Sequence, residues 1–255
     1  MILGVIPARM GSSRFPGKPM ELIHGIPMIG HCIIRASMCE QLDDVVVATC
    51  DQVIYEYIES IGFKCIMTDD KHERASDRVA EAMLQYESLN GREVVICVML
   101  QGDEPMTTPI TIGKAVSKIK DNKSIQVVNI YSEITSLQDV NSPNVVKVVP
   151  SAKETALYFS REPIPSDSLY KPTFKRYKQI CVIPFRRDYL LEYMELTPTL
   201  NEIIESIDMN RVLDHGELVH LVYSDELNFP VDTPSDIKKV EKAMIGDPLL
   251  TKYVF

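Results

Sequence analysis

Three runs of almost wholly apolar residues, at positions 2–6, 45–49 and 94–100, limit the architectures open to this chain. A run without polar interruption reads as a strand covered on both faces, which is the habit of parallel sheets. A shorter strand signal follows Gly62, at residues 64–67. Between these runs the apolar spacing turns helical. Met28, Ile29, Cys32, Ile33 and Ala36 mark a helix from 28 to about 38, residues 53–61 a second, and Val79, Ala80, Met83 and Leu84 a third over 76–85. Alternating strands and helices of this kind specify an α/β fold with a mainly parallel central sheet. At 255 residues the chain suits one large domain, or one domain with a modest insertion.

From about residue 125 the rhythm changes. Residues 125–130 and 145–149 read as strands without a strong helix between them, and Pro163, Pro165 and Pro172 punctuate a polar stretch before a strand over 179–185. The expectation is a single domain, 1–255, carrying a small antiparallel lobe inserted at about 150–185. Residues 202–215 read as a helix and 219–223 as a strand. Thr233-Pro234-Ser235-Asp236 is a start signal for the last helix, with a capping Thr, Pro first and an acid third.

The first strand runs straight into a loop, through Pro7 and Ala8 to Arg9, Gly11, Ser12, Ser13, Arg14 and Lys18. Gly11 permits close backbone approach, the serine hydroxyls donate, and three cations offer charge to phosphate oxygens. A solvated basic loop is the alternative, but open α/β sheets bind ligands at this end of their strands. The spacing is neither that of a P-loop nor Gly-x-Gly-x-x-Gly. Because the net charge is −9, general affinity for nucleic acid or anionic membrane is not expected, and the cations are read as local site features. The six cysteines lie mostly in apolar runs without a Cys-x-x-Cys pair, and read as small buried hydrophobes of a reducing compartment. The first residues enter a strand rather than a basic and apolar leader, and no stretch reaches membrane-spanning length; a cytoplasmic protein is expected.

Two carboxylates complete a candidate site. The 94–100 strand delivers Asp103 at its carboxyl end, where a carboxylate beside a phosphate-gripping loop suits Mg²⁺. Asp232 precedes the last helix. For each, the plain alternative is a residue of an acidic turn or a helix entry.

Five segments then occur together in order: Pro7-Ala8-Arg9 through Pro16-Gly17-Lys18-Pro19, Gln101-Gly102-Asp103-Glu104-Pro105, Asn144 to Val149, Ala156 to Arg161, and Val231-Asp232-Thr233-Pro234. Together they resemble the 3-deoxy-manno-octulosonate (Kdo) cytidylyltransferases, over nearly the whole chain. The resemblance implies a Rossmann-like, GT-A-like nucleotidyltransferase fold, Mg²⁺ on Asp103 and Asp232, and a homodimer. It implies CTP binding by Pro7, Ala8, Arg9, Gly11, Ser12, Ser13, Arg14, Lys18, Gln101 and Asp103. Arg74, Ser76 and Arg78 join them, in a segment where the family usually shows Ser-Gly-Thr-Glu/Asp-Arg. Lys18, Arg14, Asp103 and Asp232 are the expected catalytic set.

The acceptor side departs from the pattern. A usual His-Leu-Gly-Ile-Tyr-Gly-Tyr-Arg strand is Gln179 to Arg186 here, placing Gln179 and Ile183 where the family has His and Tyr. A usual Leu-Glu-Gln-Leu-Arg becomes Ile207-Asp208-Met209-Asn210-Arg211. Sites built to hydrogen-bond hydroxyls discriminate strongly, so losing such partners implies a changed acceptor. Arg161 is retained, which keeps a small anionic acceptor in view, oriented with Gln101 and bounded by Gln179, Ile183, Asp208 and Met209. The expected reaction is attack of an acceptor oxygen on the α-phosphorus of CTP, giving a CMP-linked product and diphosphate. Kdo, a related sugar acid, or a phosphonate or phosphate could serve, for surface polysaccharide precursors in the first two cases. A silent CTP sensor is the rival from another class.

Overall fold

The N-terminal apolar run forms β1 (Ile2–Ala8), the middle strand of a five-stranded sheet in the computed structural model, which describes residues 1–11, 15–168 and 174–254. A 3-10 turn at Lys18–Met20 and a small hairpin, β2 (Leu22–Ile23) and β3 (Ile26–Pro27), lead into α1 (Met28–Ser37). Then follow β4 (Asp44–Thr49), α2 (Gln52–Ser60), β5 (Lys64–Met67), α3 (Ala75–Asn90), β6 (Ile96–Leu100) and α4 (Pro109–Asp121). The second half comprises β7 (Val128–Glu133), α5 (Leu137–Asn141), β8 (Lys147–Pro150), β9 (Ala156–Ser160), β10 (Tyr177–Ile180) and β11 (Val182–Arg186). It ends with α6 (Arg187–Glu195), α7 (Leu200–Glu205), α8 (Met209–Asp214), β12 (His220–Tyr223) and α9 (Pro234–Met244).

The main sheet has the order β11-β6-β1-β4-β5, parallel except for β11, which runs antiparallel to β6. Both faces are covered, as continuous apolar strands require. Leu3 and Val5 pack with Val79 and Met83 of α3, whereas Ile6 and Ala8 pack with Ile29 and Ile33 of α1 and with Ile112 of α4. A second sheet, β12-β7-β10-β8-β9, is antiparallel apart from its β12–β7 pair. Its strands β8, β9 and β10 come from the stretch where antiparallel additions are expected, with β7 and then β12 adjoining on the β10 side.

Two expectations need correction. The strand expected over 179–185 is two strands in different sheets: the chain leaves the second sheet at Ile180 and enters the first at Val182. At the crossing, the Cys181 N–H donates to the Glu104 carboxyl, 3.1 Å away, instead of to a neighbouring strand. The helix expected over 202–215 breaks into α7 and α8 at Ser206, whose φ of 54° is left-handed. Carbonyls freed by that break are taken by Arg161, with Nε 2.6 Å from Glu205 O and Nη2 3.2 Å from Ser206 O. A cation 45 positions away thus terminates α7, a cause no local pattern displays. The short helix α5, capped by Ser136, lies where no strong helix is expected. The start of α9 agrees with its signal, since the Thr233 N–H donates to the Asp236 carboxylate at 2.9 Å.

Gly102 sets how closely the turn after β6 approaches the end of β1. A Cβ there would lie 3.0 Å from Pro7 O and 3.2 Å from Ile29 Cδ1. Gly102→Ala is therefore expected to cost about 1–3 kcal/mol of stability, read as a lower denaturation midpoint; an unchanged midpoint would mean that the two strand ends part freely. His31 of α1 is fully buried, with Nε2 2.7 Å from Ile23 O and Nδ1 2.9 Å from the Tyr253 hydroxyl. A carbonyl only accepts, so Nε2 carries the proton and Nδ1 accepts from Tyr253. Burial lowers the His31 pKa from 6.5 to about 4. Between those values the unfolded chain binds a proton that the folded chain refuses, so stability falls as pH falls. Between pH 7 and 5 this site is expected to cost about 2 kcal/mol, a slope that denaturation of His31→Gln should lack.

Candidate active site

Two cavities meet beyond the carboxyl ends of β1 and β6. One, of about 420 Å³, is lined by Pro7, Ala8, Arg9, Gly11, Lys18, Arg74, Arg78, Gln101 and Asp103. The other, of about 400 Å³, is lined by Arg74, Gln101, Asp103, Glu104, Arg161, Lys178, Gln179, Ile183, Asp208, Met209, Asn228 and Asp232. Glu73, Arg74, Ala75, Gln101, Asp103 and Ser206 line both, and so form their junction.

The first cavity collects cations. Its loop is pinned at the base, where the Gly17 N–H donates to Met10 O at 3.0 Å and the Met10 N–H to the Asp51 carboxylate at 2.8 Å. Gly17 has a φ of 79°, a turn that glycine takes without a Cβ penalty. Ser12, Ser13 and Arg14 lie outside the described residues. The Lys18 ammonium is buried and donates to Asp103 Oδ2 at 2.6 Å and to Val231 O at 2.8 Å. Arg9 is exposed, with Nη1 3.2 Å from His72 O. Arg78 is buried, and while its Nη1 bonds Thr68, its Nη2 has no hydrogen-bond partner among the described residues. An orphaned buried donor costs about 1–3 kcal/mol, which a bound acceptor group would recover. Ser76, expected to face nucleotide, is instead fully buried and lines neither cavity; its hydroxyl donates to Asp208 Oδ2 at 3.2 Å.

Every residue expected on the acceptor side lines the second cavity. The Gln179 amide donates to Asn129 Oδ1 at 2.5 Å, which fixes its orientation. Burial raises the Asp208 carboxyl above the ordinary range, against the pull of Arg74, whose Nη1 lies 3.2 Å from Oδ1. Arg161 donates to three main-chain carbonyls, the third being Pro143 O at 2.8 Å. Lys147, without exposed surface, donates to Ser142 O, Val145 O and Arg161 O at 2.7, 2.9 and 2.6 Å, bracing the same wall.

Asp103 and Asp232 are brought to one place, because the Val231 N–H donates to Asp103 O at 2.9 Å and both side chains line the second cavity. Among the described residues no cluster of three or more His, Cys, Asp or Glu could hold a metal ion. Two hard carboxylate donors beside a cationic cavity fit a divalent cation, which would complete its shell with phosphate and water oxygens.

Sequence reasoning missed Glu104, Lys178 and Asn228. Burial pushes Glu104 up to about 7, and the neighbouring Asp103 adds to the rise. Its carboxyl accepts from the Cys181 N–H and, at 2.7 Å, from the Asn228 amide. Lys178 donates to Asn228 O at 3.1 Å, and burial lowers its pKa. Their only sequence signal is position: Glu104 lies within the motif at 101–105, Lys178 immediately precedes the strand motif at 179–186, and Asn228 lies three residues before the motif at 231–234.

Residues 3–223 match the family model described as cytidylyltransferase. A 3-deoxy-manno-octulosonate cytidylyltransferase of Geobacter sulfurreducens is 36% identical over 249 residues, covering 94% of this chain and 97% of the relative. Among solved structures, a CMP:2-keto-3-deoxy-manno-octonic acid synthetase complexed with CTP superposes with a TM-score of 0.87 at 34% identity, covering 96% of this chain and 99% of that one. A putative glucose-1-phosphate thymidylyltransferase from Bacillus anthracis, at 15% identity and a TM-score of 0.68 over 97% of this chain and 96% of that one, shares the fold. With the paired cavities, Lys18 and both carboxylates in place, the chain belongs to the 3-deoxy-manno-octulosonate cytidylyltransferase family and is a CTP-dependent nucleotidyltransferase.

Proposed function

We propose that the enzyme transfers the cytidylyl group of CTP to the anomeric hydroxyl of 3-deoxy-manno-octulosonate or a closely related sugar acid, releasing diphosphate for surface polysaccharide precursor synthesis. The observation that carries this reading is the junction itself: a cationic cavity and an acceptor cavity share Gln101 and Asp103, so two substrates meet at one point. The names of the relatives favour a sugar acid over a phosphonate or phosphate acceptor, and membership of an enzyme family favours turnover over a silent sensor. The departures at Gln179, Ile183, Asp208 and Met209 all line the acceptor cavity, and support a difference in how the sugar acid is held.

In this mechanism the acceptor hydroxyl attacks the α-phosphorus in line and diphosphate leaves from the opposite side, with no covalent enzyme intermediate. Lys18 and Arg14 supply positive charge against the departing diphosphate. Arg78 offers its unpaired Nη2 to the nucleotide, and Gln101 orients the acceptor at the junction. Asp103 and Asp232 would hold Mg²⁺, which when bound neutralises phosphate charge and lowers the pKa of the attacking hydroxyl.

We also read the chain as a single domain, supported by one buried cluster that joins residues of both sheets, and as a homodimer, supported by the family resemblance. Its six free cysteines support a cytoplasmic setting. Sedimentation is expected to give twice the 28.9 kDa chain mass; a single-chain mass at micromolar concentration would overturn the dimer.

Diphosphate release should occur with CTP, Mg²⁺ and 3-deoxy-manno-octulosonate, and not when another triphosphate replaces CTP. Release only with phosphonates would refute the acceptor, and tight CTP binding without any release would favour a sensor. Asp103→Asn is expected to lower kcat on the order of 10³-fold or more, while its circular dichroism and melting profile stay folded. Substantial turnover in that variant would remove Asp103 from the metal role.

A further inference from the structure

Arg74 and Asp208 lie 134 positions apart, and each departs from the pattern that the chain otherwise resembles. They are each other's partners. Arg74 Nη1 donates to Asp208 Oδ1 at 3.2 Å, and the buried Ser76 hydroxyl donates to Oδ2 at the same distance, so both oxygens of Asp208 are engaged in holding this arrangement. The Asp208 carboxylate is thereby directed at the protein's own donors, and a guanidinium stands at the edge of the acceptor cavity.

The chemistry of a 2-ulosonic acid says where its charge must lie. The carboxylate is bonded to the same carbon as the attacking hydroxyl, so when that hydroxyl reaches the α-phosphorus the carboxylate is held at the junction of the two cavities. Among the described residues Arg74 is the cation that lines both. Arg161 lines the acceptor cavity alone, and its Nε, Nη1 and Nη2 each donate to a main-chain carbonyl. Both hydrogen bonds described for Arg74 leave from Nη1, the second reaching Ser206 Oγ at 3.4 Å, and its Nε lies 3.9 Å from the buried Glu202 carboxylate, so of the three nitrogens Nη2 is the one these contacts do not use. Guanidinium and carboxylate match in geometry, and their charge-assisted hydrogen bonds are among the strong ones.

We propose that Arg74 is the residue that binds the acceptor's carboxylate at the cavity junction, and that Asp208 is the positioning residue that aims it. The assignment rests on the sugar-acid reading above. It makes the acceptor's carboxylate, rather than its hydroxyls, the group by which this active site recognises it.

The test compares 3-deoxy-manno-octulosonate with its C1 methyl ester, following diphosphate release at saturating CTP in wild type, Arg74→Gln, Arg74→Lys and Asp208→Asn. Arg74→Gln should lower kcat/KM for the acid about 10- to 100-fold, the worth of a charge-assisted hydrogen bond, and lower that for the ester by clearly less. The acid-to-ester preference should collapse while the KM for CTP stays within about 3-fold, a split that general damage to the fold does not produce. Arg74→Lys should restore part of the preference, as a point charge without the planar fork, and Asp208→Asn should lose part of it. An active wild type whose preference survives in Arg74→Gln overturns the inference alone. So does a rise confined to the KM for CTP, which would place Arg74 on the nucleotide. A wild type silent with both probes overturns the sugar-acid reading and the inference with it.

Discussion

The Lys18 ammonium ties together three segments that the sequence keeps far apart. It donates to Asp103, 85 positions on, and to the carbonyl of Val231, 213 positions on. One buried cation therefore joins the loop after β1, the turn after β6 and the irregular segment that enters α9. The main chain repeats the connection, since the Val231 N–H reaches Asp103 O. Gly102 allows it by letting the turn lie against Pro7 without a side chain between them. The donor half of the active site depends on this knot, because both candidate metal carboxylates hang from it.

On the acceptor half, cations do architectural work. Arg161 and Lys147 together satisfy six main-chain carbonyls around the cavity wall. Arg211 forms a buried two-point pair with Glu202, at 2.7 and 2.6 Å, over the ring of Tyr193, whose hydroxyl in turn donates to Asp208 O. Buried carbonyls left without donors are costly, so an irregular wall needs such caps. The consequence is that a cation lining the candidate acceptor cavity need not be aimed into it. Arg161 is engaged with the backbone, whereas Arg74 stands at the junction.

Much of the architecture was legible because it rests on local periodicity. The 64–67 strand, the helix from Met28 and the capped start of α9 appear within a residue of where spacing and capping place them. Motif order likewise announced Lys18, Asp103 and Asp232 as one site. Ser76 shows the limit: a hydroxyl in a nucleotide-binding segment reads as a ligand contact, yet its helix turns it inward to Asp208. Glu104 and Asn228 show the converse, since a buried carboxyl–amide contact across 124 positions leaves no trace in spacing.

By itself, the sequence determined the parallel α/β core and pointed to a candidate donor site, because a hydrophobic period and a glycine-bearing cationic loop are properties of neighbouring residues. Only tertiary structure decided the acceptor side. There a strand divides between two sheets at Cys181, and a helix stops at Ser206. In each case the responsible hydrogen-bond partner, Glu104 or Arg161, arrives from a distant segment. Long-range satisfaction of backbone groups, invisible to any local pattern, shapes the candidate acceptor cavity.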